Sequence, residues 1–142
     1  GTGRNVIAAE AKAVLDVRVL AMADAERIDR EVRAMEPVTP RTKITVKGGL
    51  DRPPLEATPG NRILWEQAEG AARELGISLS EGTAGGASDG SFTSRITPTL
   101  DGLGAVGDGA HAVNEQVQID RMPERAALLA LLLMTPPPAE RI

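Results

Sequence analysis

Residues 48–61, GGLDRPPLEATPGN, constrain the fold of this chain more than any other stretch. Proline fixes φ and removes a backbone donor, while glycine frees the backbone, so a segment this rich in both suits neither a helix nor a central strand. It divides the 142 residues into a segment at 1–48, a hinge at 49–60 and a segment at 61–142. At this length the chain buries one moderate core, or it carries pieces of two larger domains.

Before the hinge, Val14, Asp16 and Arg18 alternate with Leu15, Val17 and Val19, and Thr42 to Lys47 alternate again, which predicts two strands. Between them Asp24 is the expected cap of a helix with Ile28, Val32 and Met35 on one side, ended by Pro37 and Pro40. The order β-α-β is about half of a split ferredoxin-like unit and buries too little to stand alone. After the hinge, Pro59 opens a helix over Asn61 to Leu75, with Ile63, Leu64, Ala68, Ala71, Ala72 and Leu75 on one face and Gly76 as its stop. Short strands are expected at Ile77–Ser80, 97–103 and 117–120. A final helix from Pro123 to Met134, apolar nearly all round, is expected to be buried.

Composition excludes several chemistries. There are no cysteines, so no disulfide, thiolate metal site or cysteine nucleophile exists. The net charge of −4 is spread over both signs, and Trp65 and Phe92 are the only aromatics, so neither a basic face nor a stacking platform for nucleic acid is present. The longest apolar run, Ala126 to Met134, is well short of the roughly 20 residues that span a bilayer. No nucleic-acid or membrane partner is expected.

Three motifs compete around the glycine-rich stretches. Gly102, Gly104 and Gly107 form a G-x-G-x-x-G, but the sequel DGAHAVNE shows no helical periodicity on which a pyrophosphate would sit. Gly86-Ala87-Ser88-Asp89-Gly90 matches a nucleophile elbow, and Asp101 and His111 follow in the order of a serine hydrolase, yet no buried strand runs straight into Ser88. The third reading makes His111, the only histidine, a metal ligand approached by the glycines of GDGAH. One imidazole cannot hold zinc, which takes about three or four protein ligands, so the residues alone leave the metal reading incomplete.

Five segments taken in order, NVIAAEAKAVLDVR, GGLDRPP, GGASDGSF, PTLDGLGAVGDGAHAVNE and MPERAALLALLL, resemble the dinuclear-zinc metallopeptidases of clan MH. That family holds glutamate carboxypeptidase, aminoacylase, acetylornithine deacetylase and succinyl-diaminopimelate desuccinylase, and the similarity is nearest to glutamate carboxypeptidase. The resemblance implies an α/β fold. Residues 1–48 would be the second half of a βαββαβ dimerisation lid, and residues 61–142 the C-terminal part of a mixed-sheet catalytic domain. It implies zinc-dependent hydrolysis of an amide bond next to a free carboxylate in a small peptide or acyl-amino acid, at two zinc ions that cobalt or manganese could replace.

By the same resemblance His111 is the last histidine ligand, and the general-base glutamate and the other ligands lie upstream of this chain. Arg18, Arg52 and Asn5 match substrate-contacting positions, although Ala8 replaces a proline of the family pattern beside Asn5. Gly86, Ala87 and Ser88 would line the substrate, and Glu115 either orients His111 or is simply an acid of the turn. A homodimer through the lid, catalytic silence of the isolated chain, and a cytoplasmic rather than periplasmic location complete the expectations. The alternatives are a serine hydrolase using Ser88, Asp101 and His111, and a non-catalytic dimerisation or binding fragment.

Overall fold

Thr58 and Pro59 set the start of the longest helix. The Thr58 side chain accepts from the Asn61 amide at 3.2 Å, and proline in the first turn costs no intrahelical bond. The computed structural model describes residues 3–83, 86 and 88–136. Its helices are α1 (Met22–Arg33), α2 (Pro59–Glu74), the single turn α3 (Gly90–Thr93) and α4 (Met122–Met134), and a 3₁₀ turn at Ile119–Arg121 leads into α4. Strands β1 (Gly107–Asp108) and β2 (Gln116–Val117) pair antiparallel, with Gly107 opposite Val117. The result is a small mixed α/β domain with a two-stranded sheet.

Gly76 ends α2 as its sequence position implies. Its φ of +68° lets the Ile77 amide reach the Ala72 carbonyl at 2.8 Å while its own amide reaches Arg73. This paired closure satisfies carbonyls that the last helical turn leaves open. Ile77 then folds back onto Ala71, Ala72 and Leu128, which with Leu79, Leu131 and Leu132 form the core between α2 and α4. Burial of Leu128 contributes about 1.5–3 kcal/mol, and the small alanines of α2 allow α4 to approach closely.

Five expectations change. The stretches 14–19, 42–47, 77–80 and 97–103 carry no strand ladder, because a strand is completed only by hydrogen bonds to a neighbour, and β1–β2 is the one ladder among the described residues. The expected strand at 117–120 is instead Gln116–Val117, its length fixed by pairing with β1. Asp24 does not cap α1. It sits in the first turn, 3.2 Å from Arg27, and the Met22 amide is taken by the carboxylate of Glu56 at 3.1 Å. Helix α1 also closes at Arg33 with Ala34 as its cap, so Met35 lies beyond the helix and short of Pro37. Finally, α4 is buried on one side only: Leu128 is enclosed, while Leu133 is 78% and Met134 80% exposed. It has one helical neighbour, α2, and a helix in contact with one partner covers only one stripe.

The proline-rich segment packs rather than dangles. Pro53 is buried, and Asn61, only 7% exposed, ties the segment down. The Asn61 amide nitrogen donates to the Glu56 carbonyl and to the Ser94 hydroxyl, both at 2.8 Å, and its oxygen accepts from the Thr99 amide at 2.7 Å. Truncating Asn61 to alanine leaves buried groups of three segments unpaired. It should therefore destabilise the chain by about 1–3 kcal/mol in urea-induced unfolding, with helix α2 retained by circular dichroism.

Candidate functional site

Two features bring the expected site residues into space: a trough and a hairpin. The trough is an open depression of about 2000 Å³ that runs between the segments at 10–20, 43–57 and 79–103. Arg18, Arg52, Gly86 and Ser88 line it, although they are far apart in sequence. Asn5 is exposed in a turn and does not line it, and neither do His111 and Glu115. Ala87 lies outside the described residues.

Arg18 and Arg52 already hold exposed acids. Arg18 meets Asp16 at 3.1 Å, and Arg52 meets Asp89 at 3.7 Å, with Asp89 fully exposed. Ion pairs in such solvated positions contribute little, so an incoming carboxylate exchanges with them at small cost. On α1, the hydrogen bond from Arg33 holds the Asp29 carboxyl below its ordinary range, and Glu31 with Asp24 raises the Arg27 guanidinium. At the start of α4, Glu124 raises Arg121.

Ser88 has a different environment from that of a serine nucleophile. Its hydroxyl donates to a carboxylate oxygen of Asp101 and accepts from the Gly90 amide at 3.0 Å. In a serine–histidine–acid triad the serine proton goes to imidazole, whereas here it goes to the acid. No hydrogen bond involving the His111 side chain occurs among the described residues. The glycine motif at Gly102 and Gly104 is likewise spoken for: Arg125 of α4 donates to the Gly102 carbonyl at 2.8 Å and the Gly104 carbonyl at 2.9 Å. Arg125 was missed in the sequence. The available signal was a single cation on an otherwise apolar stripe, placed after a glycine-rich run with carbonyls to satisfy.

His111 sits at the tip of the β1–β2 hairpin. Turns close the tip through Ala112 to Gly109 at 2.8 Å and Glu115 to Ala112 at 3.1 Å, and the Gln118 amide extends the pairing to Val106. His111 has φ +67°, a left-handed conformation that is uncommon for a side-chain-bearing residue and is often retained at functional positions. The hairpin needs glycine at its base: a Cβ on Gly107 would lie 2.2 Å from the Gln116 carbonyl oxygen. Glu115 is exposed on the same loop.

The donor set does not make a zinc site by itself. Among the described residues no group of three His, Asp or Glu side chains converges as ligands would, and His111 is the sole imidazole.

Residues 4–135 match peptidase family M20/M25/M40, and the chain belongs to that family. It is 28% identical over 151 aligned positions to a succinyl-diaminopimelate desuccinylase of Methylobacterium sp. (strain 4-46). That alignment covers 96% of this chain but 36% of the relative, so the chain spans little more than a third of the relative's length. No solved structure matches. The family-level resemblance read from the sequence therefore holds, while the particular member, glutamate carboxypeptidase or desuccinylase, is not fixed by it.

Gly107→Ala should open the hairpin, with loss of the cross-strand contact between residues 107 and 117 in nuclear Overhauser spectra. The α2–α4 core, which shares no residue with the hairpin, should keep its methyl shifts.

Proposed function

We propose that this chain is the C-terminal part of a zinc-dependent hydrolase that cleaves an amide bond beside a free carboxylate, as in carboxypeptidases and N-acyl-amino-acid deacylases. In this reading residues 1–48 belong to a dimerising lid, 49–60 form the hinge and 61–142 belong to the catalytic domain. The rest of the metal site and the general base come from sequence outside these residues. The observation that carries the reading is the family match over residues 4–135, and Arg18, Arg52 and Ser88 all border the same open depression.

Zinc, when bound, supplies a Lewis acid and lowers the pKa of water towards neutrality. The residues of this chain contribute recognition and one ligand. Arg18 and Arg52 present guanidinium groups, permanently charged and able to hold a carboxylate through two parallel hydrogen bonds. His111 offers its imidazole from the tip of a hairpin whose backbone is turned into the left-handed region there. Glu115, exposed on the same loop, is assigned to orienting the imidazole by its place in the sequence alone. Asn5 is assigned to the substrate side on the family pattern alone.

The serine-hydrolase reading is weaker, because the Ser88 proton is held by Asp101. Replacing His111 with alanine in the full-length protein should remove one zinc equivalent by elemental analysis and nearly all turnover. Retention of both metal equivalents would remove His111 from the ligand set.

Arg18→Ala and Arg52→Ala should each lower kcat/KM by about tenfold or more on substrates with a free carboxylate, the scale of one lost charged hydrogen bond. Esterified analogues should change far less. Equal losses on the two substrate classes would mean that the arginines serve the fold.

A further inference from the structure

Resting on the proposed hydrolase reading, we infer that Asp101 is a positioning residue: it takes the only proton of the Ser88 hydroxyl, so that Ser88 faces the trough as a hydrogen-bond acceptor for an N–H group of the substrate. A serine hydroxyl has one proton and two lone pairs. Here the proton goes to the Asp101 carboxylate and one lone pair takes the Gly90 amide at 3.0 Å. One lone pair is left to offer outward. A carboxylate ligand cannot donate to it, whereas an amide or amine N–H can. This separates the labour of the trough: the free carboxylate goes to the arginines, and the nitrogen side of the scissile bond goes to Ser88.

Asp101 is suited to this role because its own segment is fastened at both ends. Upstream, the Thr99 amide is bound to the buried Asn61. Downstream, the Gly102 amide donates back to the other carboxylate oxygen of Asp101 at 2.8 Å, and Arg125 clamps the Gly102 and Gly104 carbonyls. On the Ser88 side, the Ser88 amide reaches the hydroxyl of Ser91, which is 2% exposed. The clasp is tight at Gly90: a Cβ there would lie 3.1 Å from the Ser88 hydroxyl and 3.2 Å from the Asp101 carboxylate. The same segment continues into β1, so Asp101 links the Ser88 turn mechanically to the hairpin that carries His111.

Two measurements test the inference separately from the hydrolase reading. In the 142-residue chain, Asp101→Ala and the near-isosteric Asp101→Asn should speed amide hydrogen exchange at Gly90 and Ser91, by about tenfold for alanine and less for asparagine, whose carbonyl oxygen still accepts from Ser88. Exchange within α2 should stay unchanged. Equal protection in wild type and Asp101→Ala would show that the clasp does not order this turn, and would overturn the inference whatever the enzyme does. In the full-length protein, Ser88→Ala and Asp101→Ala should each raise KM for a secondary-amide substrate by about tenfold, with kcat within threefold and zinc content intact. The double variant should be no worse than either single one. Each variant should also narrow the KM difference between that substrate and its N-methylated analogue, which lacks the N–H. Additive losses in the double variant, or an unchanged difference between the two substrates, would overturn it. A full-length protein without amidase activity would sink the hydrolase reading, and the exchange result would still decide whether the clasp exists.

Discussion

The side chain of Asn61 holds together the parts of this structure that the core does not reach. It is nearly buried, and both ends of its amide are used: the nitrogen binds the Glu56 carbonyl and Ser94, and the oxygen binds the Thr99 amide. A buried amide with every arm satisfied fixes geometry more sharply than an apolar contact, because each displaced arm leaves an unpaired polar group. From this point the proline-rich segment, α2, the α3 turn and the strap at 99–104 take their relative places. Everything proposed for the trough depends on that arrangement, since Arg52 lies on one of these segments and Ser88 and Asp101 on or beside the others.

The hydrophobic core supplies little by comparison. It rests on small alanines of α2 meeting Leu128, flanked by half-buried leucines. Large apolar side chains such as Ile7 and Val38 remain more than 90% exposed, and the bare face of α4 adds Leu133 and Met134. The chain spans 36% of the matched relative's length. The alternating pattern at 14–19 and 42–47 suits strands, but hydrogen bonding in a sheet is a property of pairs, and among the described residues these stretches carry no ladder.

The proposed site follows the same division. His111, with its left-handed backbone, is held by a hairpin of only two residues per strand. The trough residues are held by longer-range contacts through Asn61, Arg125 and Asp101. Recognition and metal ligation thus rest on different supports, joined by the strap that runs from Thr99 through Asp101 into β1.

Local signals in the sequence determined the parts whose causes are local. The capped start of α2 at Thr58-Pro59, its glycine stop at Gly76 and the start of α4 beside Pro123 were all legible, because a cap or a breaker acts within one turn of the chain. The family was legible from the order of five short segments, and residues 4–135 bear it out. Asp24 misled, because a residue that resembles a cap is indistinguishable in sequence from one inside the first turn when the true partner, Glu56, lies in a remote segment. Only the tertiary structure decided that Arg125 would clamp the glycine carbonyls, that Asn61 would join three segments, and that the Ser88 proton would go to Asp101. Each is a contact between residues distant in sequence, and no periodicity or spacing records which polar groups will meet once the chain has closed.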